Sequence, residues 1–484
     1  MIFNLLSYHI SCATLVLHRS YSLFENFSTS FAALYFIGGV RVTFSTGIAA
    51  GGPPCILVKT SYAITCVFTF ITAAVIAEVC SAAPSAGSIY LWATEAGGPR
   101  LGRLFGFIVA WWSTTAWTTF CASNTQTAVN YMLSELSVFK VNFPTDASSV
   151  NFRAVQWICT EVLLGLAAWI NLASPRIFRY VFWLSTGAVF LDFILNLIWL
   201  PVGAHTPAGW NWCLSYLATA GILIGFDASG HVAEETKDAS VNAAKGIFWS
   251  TVVSGVFGFA AVILFLFTSP PIDILFSYDA PQPFVPLYAA VLGRGGHIVM
   301  NVLAVLALWL NTAITITAAS RLVFAVARDG VLPFAQWVSR VPEDGQPRNA
   351  ILVVWGVSAI TTCTILPSAV AFTSLVSAAG VPSAAAYGLV SLGRLVLTPS
   401  EPLEAKWSLG RLSKPFQFIA VIWNGWVVAV LFSPYEFPVT ASTLNYAPII
   451  MGIVTIFALV TWLVMPTTAW LPQERIRHEV RYVG

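Results

Sequence analysis

The sequence predicts an all-α polytopic membrane protein of about twelve transmembrane helices, on the strength of its charge content and the spacing of its charges. Of 484 residues, 57% are hydrophobic and 9% charged, whereas about a quarter of an ordinary soluble protein is charged. Between Arg348 and Arg394 there are 45 residues without Asp, Glu, Lys or Arg, room for two spans of about 20 residues each, joined near Pro367. Similar uncharged stretches run from Arg103 to Glu135, Asp192 to Asp227, Lys245 to Asp273, Arg294 to Arg321, Lys414 to Glu436 and Glu436 to Glu474.

Punctuation by Pro, Gly and charge places the spans near 31–50, 56–79, 103–133, 154–172, 178–200 and 213–230, then 247–269, 297–325, 349–366, 372–397, 416–433 and 446–465. With both termini cytoplasmic, 18 of the 23 Lys and Arg fall inside, four (Lys59, Lys140, Arg153, Arg294) fall outside, and Arg41 lies within the first span. That bias supports the count and the orientation. A plasma membrane location is expected, with a vacuolar membrane as the alternative. Residues 1–18 lack a basic region and a clear cleavage site, so 1–30 is read as a short cytoplasmic lead-in.

Other functions find little support in these residues. A net charge of +2 without a basic block excludes a nucleic-acid partner. The eight cysteines are scattered singly, with no zinc-ligand spacing, and read as small apolar fillers; a disulfide between outer segments stays open. No metal or cofactor is implied. No HxxxxD pair, HExxH or phosphate loop is present, which argues against a membrane-bound enzyme. The longest polar connections, 134–153 and 326–348, are too short to bury a core of their own.

Function is therefore sought at membrane depth. Carriers built from inverted repeats interrupt one helix in each half, and the freed backbone groups line the solute site. Gly38-Gly39-Val40-Arg41-Val42-Thr43 in the first span and Gly225-Phe226-Asp227-Ala228-Ser229-Gly230 in the sixth form such a pair, since glycine tolerates the unwound backbone. The plainer alternative is close helix packing. The pairing divides the chain into a first repeat at 31–200, a second at 201–397, and two further helices with a cytoplasmic tail at 398–484. Amino groups opening one half-helix would hold a carboxylate and carbonyls ending the other an ammonium, which suits an amino-acid-like solute.

Charges inside a bilayer are functional by default. Arg41 and Asp227 are expected near one another and near the solute, Arg41 clamping a carboxylate and Asp227 pairing an amine or a proton; a fixed Arg41 to Asp227 salt bridge is the structural alternative. Asp227, His231, Asp192 and Glu78 are the candidates for proton coupling or gating. Glu161 is a weaker one, Phe226 a possible gate, and the polar face Ser123, Asn124, Gln126, Thr127 and Asn130 either lines the path or bonds between helices. Glu234, Glu235, Lys237 and Asp238 read as a solvated cytoplasmic turn.

Three stretches carry a family resemblance: AEVCSAAPSAGSIYLWATEAGGP at 77–99, GFDASGHVAEETKDA at 225–239 and SRLVFAVARDGVLPF at 320–334. They resemble the amino acid-polyamine-organocation permeases, in particular the fungal amino acid/choline transporter branch with its choline and 4-aminobutyrate carriers. The resemblance implies a five-plus-five inverted-repeat core with two additional helices, alternating access and proton-driven uptake. It places the solute site at the two breaks, on Gly38 to Thr43 and Phe226 to Ser229. Arg41 departs from the small or neutral residue of the choline and 4-aminobutyrate carriers and counts against a choline-like cation. An amino acid permease is the resulting expectation, with a choline or polyamine permease and a transport-inactive nutrient sensor as alternatives.

Overall fold

The computed structural model describes residues 19–49, 61–145, 147–173, 175–203, 223–268, 274, 280–342, 345–367, 369–399, 405–432 and 444–465. The helices are α1 (Leu23–Leu34), α2 (Phe36–Ala49), α3 (Ser61–Ala82), α4 (Ser88–Ala96), α5 (Gly98–Val138), α6 (Val150–Asn171), α7 (Pro175–Gly203), α8 (Ala228–His231), α9 (Ala239–Thr268), α10 (Phe284–Arg328), α11 (Ala335–Val338), α12 (Arg348–Thr362), α13 (Ala369–Leu392), α14 (Ser413–Phe432) and α15 (Ala447–Val464). Nine helices among the described residues are long and apolar enough to cross a membrane. With the broken first span (α1 and α2), the polar third span (α5) and the sixth span, of which 223–231 is described, they correspond to the twelve predicted spans.

The outer surface is that of a protein solvated by lipid. Ile158, Val162, Leu166 and Trp169 on α6 and Ile449, Ile453, Ile456, Val460, Leu463 and Val464 on α15 are exposed, at the three- and four-residue spacing of one helix face. Small and polar residues face inward. Each of the first four spans packs on its counterpart in the second half: α1 on α8, α3 on α9, α5 on α10 and α6 on α12. This pairing is the contact pattern of two intertwined repeats, and α14 and α15 pack outside it against α13.

The first span begins earlier than its hydropathy indicates. Ser22 caps α1 while Glu25 reaches back to the Ser22 amide at 2.9 Å, a capping box. Residues 23–30 are therefore helical, continuous with α1 up to its break, and Asn26, Ser28, Thr29 and Ser30 are buried. The helix breaks at Tyr35, whose φ of 35° and ψ of 58° are left-handed. The break expected at Gly38 to Thr43 is corrected accordingly, because that stretch is helical in α2. A Cβ on Gly38 would fall 2.0 Å from the Tyr35 ring, so this glycine makes room for the residue that turns the chain. The packing alternative holds there.

Gly246 does the same for α9, where a Cβ would meet Asn26 Oδ1 at 2.1 Å and Ser229 Oγ at 2.9 Å. Of the cysteines, Cys66, Cys80, Cys121, Cys159 and Cys363 are free; Cys12, Cys55 and Cys213 lie outside the described residues. Gly246→Val should push α9 off α1 at a cost of about 1–3 kcal/mol, typical of overpacking. Thermal melting of the detergent-solubilised protein checks this, and an unchanged midpoint would mean that the contact yields freely.

Candidate functional site

The sixth span is unwound from Leu223 to Asp227, and Gly225 has a φ of 106° that a side chain would resist. Its freed backbone groups find partners on α1. Ser30 Oγ donates to Phe226 O at 2.6 Å and accepts from Ser229 N at 2.8 Å, Asn26 Nδ2 donates to Ser229 O at 3.1 Å, and Ser229 Oγ donates to Asn26 O at 2.8 Å. Across the first break, Asn311 Nδ2 on α10 donates to Ala32 O and to Ala33 O, and Asn124 on α5 steadies Asn311 at 2.5 Å. Both interruptions are thus closed by side-chain amides and hydroxyls, as a low-dielectric setting demands.

Asp227 sits at the second break, 2% exposed. Tyr387 Oη on α13 donates to its Oδ1 at 2.5 Å, and His231 Nε2 stands 3.2 Å from its Oδ2. That second approach is off the N–H axis, so it is an electrostatic contact rather than an aligned bond, and Nε2 has no hydrogen-bond partner. The other ring nitrogen, Nδ1, lies 2.6 Å from Ser88 Oγ. Aromatic rings pack on the two side chains that contact the carboxylate: Phe226 stacks on Tyr387 at 4.5 Å between centroids, and Trp117 meets the His231 ring edge-on at 5.2 Å. A small crevice lined by Thr69, Thr72, Phe226, Tyr387, Trp423 and Asn424 borders the Phe226 and Tyr387 rings.

Arg41 is not beside Asp227. It pairs with Asp192 on α7, and both side chains are fully buried. Tyr35 Oη donates to Asp192 Oδ2 at 2.8 Å, Asn196 Nδ2 to Oδ1 at 3.0 Å, and Tyr288 Oη to Asn196 Oδ1 at 2.7 Å, while Tyr131 lies under the guanidinium at 5.6 Å. At 1.5 Å per residue Arg41 stands about 9 Å along α2 from the break. The expected Arg41 to Asp227 proximity, and the salt bridge offered as its alternative, give way to an Arg41 to Asp192 pair that ties the first span to the fifth. Its charge is thereby cancelled, which removes the argument against a cationic solute.

Among the other predicted site residues, Gly39 and Val40 lie within α2 and Val42 is exposed; the side chain of Thr43 is outside the described set. Ala228 is buried in α8, and the polar groups of Ser229 are engaged by α1. Glu78 accepts from Ser408 Oγ at 3.0 Å, Leu409 N at 2.8 Å and Ser413 Oγ at 2.5 Å, holding the turn before α14. Glu161 accepts from Thr362. Asn130 bonds Gln156 at 2.7 Å, so part of the polar α5 face joins helices.

Glu234 and Glu235 are not a solvated turn. Arg328 grips Glu234 with two bonds of 3.1 Å, Arg321 Nε donates to Glu235 Oε1 at 2.7 Å, and Tyr90 Oη donates to Asp329 Oδ2 at 2.5 Å. A bridge between Tyr21 and Thr236 completes this latch across the basic end of the bundle. Lys237 and Asp238 are exposed as expected. Burial pushes the Glu234 carboxyl up, but Arg328 with Ser85 and the Ala86 amide outweighs it and holds the group below the usual carboxylate range.

Sequence reasoning missed Tyr387, Trp117, Ser88, Ser30 and Asn26, none of which carries a charge. The capping box was the available signal for Asn26 and Ser30, because starting the helix at Leu23 puts both within it.

A helical bundle with two paired interruptions and a buried carboxylate at one of them defines a membrane permease. Residues 23–456 match the family model described as amino acid permease, and the chain belongs to that family. It is 48% identical to the thiamine transporter thi9 of Schizosaccharomyces pombe, over 96% of this chain and 86% of the relative. It is 27% identical to the amino-acid permease BAT1 homolog of Oryza sativa subsp. japonica, over 92% and 91%. In fold it is similar to the Eremococcus coleocola manganese transporter, with a TM-score of 0.58, 11% identity and coverage of 96% and 95%. The protein is thus an integral multi-pass transporter with a small-molecule substrate, on the inverted-repeat core plus two helices that the sequence predicted. Its relatives and fold neighbours are transporters, not enzymes.

Two outcomes follow from this geometry. Arg41→Ala strands a buried Asp192 and should cost about 3–5 kcal/mol, whereas replacing both partners by Leu should recover most of the loss; melting curves of the three variants decide it. Because the Glu234 carboxyl is held low, its stabilisation is complete above the ordinary carboxylate value and is lost as pH falls through the depressed one. The difference in melting temperature between wild type and Glu234→Gln should therefore stay constant from about pH 8 to 5 and close only below about pH 4.

Proposed function

We propose that this protein carries thiamine, or a solute sharing its cationic heteroaromatic ring, by alternating access between the two repeats. Asp227 is the observation that carries the reading. It is a buried carboxylate at the break with no Arg or Lys paired to it among the described residues, and Phe226, Tyr387 and Trp117 stand around it. A cation with a flat π-system satisfies both features, because the carboxylate supplies the charge and the aromatic faces attract a cationic ring. Similarity to the thiamine transporter supports the same chemistry.

The earlier expectation of an amino acid retains one observation in its favour: Arg41 Nε and Nη1 are buried and meet no acceptor, and a carboxylate would fit them. It would have to bind about 9 Å along α2 from the first break, beside Asp192 rather than at Asp227. The positive-inside pattern assigns the Glu234 to Arg328 latch to the cytoplasmic face, where it would have to part for solute to leave.

Uptake of radiolabelled thiamine, choline, 4-aminobutyrate and a panel of amino acids in cells lacking their own carriers tests the reading. Thiamine should accumulate, and Asp227→Asn, which keeps the shape and the Tyr387 contact, should reduce that uptake at least about tenfold at equal surface expression, the worth of a hydrogen-bonded charge. Amino acid uptake abolished by Arg41→Ala and unaffected by Asp227→Asn would sink the proposal.

A further inference from the structure

The four buried candidates for holding a proton differ in what their neighbours permit. Asp192 is neutralised by Arg41 and accepts from Tyr35 and Asn196. Glu78 holds the 408–413 turn by three accepted bonds. His297 on α10 faces an acceptor on each side, Gly293 O at 3.1 Å from Nδ1 and Glu135 Oε2 at 3.0 Å from Nε2. A carbonyl only accepts, so that dyad keeps its proton in the geometry seen.

His231 is different. Its Nδ1 faces a hydroxyl, 2.6 Å away on Ser88, and a hydroxyl donates or accepts equally well. With Nδ1 bare, Ser88 donates to it; with Nδ1 protonated, Ser88 accepts from it. Nε2 keeps its hydrogen in both states, beside Asp227 but off the axis of a hydrogen bond. At Nδ1 the ring therefore gains or loses one proton without losing its partner, a loss that would otherwise cost a large desolvation penalty.

The backbone is arranged to hold this contact. Ser88 occupies the left-handed region, with a φ of 35°, a conformation costly for a residue other than glycine. Opposite it, a Cβ on Gly230 would fall 2.7 Å from the Trp92 ring and 3.1 Å from Ser88 Cβ, so the absence of a side chain there lets α4 approach the histidine. Tyr387 is the further titratable group on the pair, from α13. From α5 and α4 the contacts are the uncharged Trp117 and Ser88, and on the α10 side Arg321 and Arg328 are matched by Glu235 and Glu234.

We propose that His231 is a reversible proton site that the hydroxyl of Ser88 allows to load, and that a proton on it and a cationic solute take the charge of Asp227 in turn. The loaded pair is neutral and the empty pair carries one negative charge, so each ligand weakens the other by the same factor. The alternation rests on the thiamine reading; the proton site does not.

The test has two parts. In purified protein without solute, tryptophan fluorescence is titrated between about pH 5 and 8, where an imidazole changes charge, and the Trp117→Phe signal is subtracted, since an imidazolium at the indole edge quenches it. Wild type should show one step, Ser88→Thr should keep its midpoint, Ser88→Ala should move it lower by about one unit because the bond lost from the charged ring is stronger than the one lost from the neutral ring, and His231→Gln should abolish it. A flat wild-type difference, or the same midpoint in Ser88→Ala, overturns the proton site. Thiamine binding is then measured above and below the midpoint: binding about tenfold tighter above it in wild type, and independent of pH in His231→Gln, supports the alternation. Equal affinity at both pH values overturns the alternation alone. A clear fluorescence step with no thiamine binding at any pH overturns the thiamine reading and leaves the proton site standing.

Discussion

The need to satisfy unwound backbone inside a membrane governs the rest of this structure. Neither water nor lipid supplies partners to a helix interrupted at that depth, so the two breaks are viable only because side chains of neighbouring helices close them. Asn26 and Ser30 on α1 bond the 226–229 segment, and Ser229 returns the contact. Gly246 is required where this junction meets α9. Asn311 and Asn124 play the same part for the end of α1, which brings α5 and α10 into the junction. The site is thus a consequence of closing the backbone, with Asp227 and Phe226 carried on the turn that remains.

Charge follows the same economy. Arg41 with Asp192, Arg321 with Glu235 and Arg328 with Glu234 are internally cancelled pairs, and each ties together segments far apart in sequence. Asp227 is held instead by a phenol and an imidazole, neither of which carries a fixed positive charge. On the function proposed above, that leaves the carboxylate to a cation, whether a solute or a proton on its neighbour.

Much of the fold was legible because lipid imposes a coarse rule on sequence: uncharged stretches of sufficient length, a basic bias on one face, and glycines in the first and sixth spans. Details decided by local geometry were not. The first break lies at Tyr35, a residue with no propensity for a left-handed conformation, and Gly38 marks it only indirectly through the space it leaves for that ring. Arg41 and Asp227 were expected together because both are charges near a break, yet it is Asp192, on α7, that reaches the guanidinium. Glu234 and Glu235 read as surface because their arginine partners lie some 90 residues away in sequence. Tyr387, Ser88 and Trp117 are an ordinary phenol, hydroxyl and indole in apolar helices, and position alone makes them part of the site.

Whether Asp227 and its aromatic neighbours receive the solute is decided by a structure of the purified protein determined with thiamine present. Ring density should stack against Phe226 and Tyr387, with the cationic ring within about 4 Å of an Asp227 carboxylate oxygen, the range of a close charge pair. Density beside Arg41, with the Asp227 pocket closed as it is here, would contradict it.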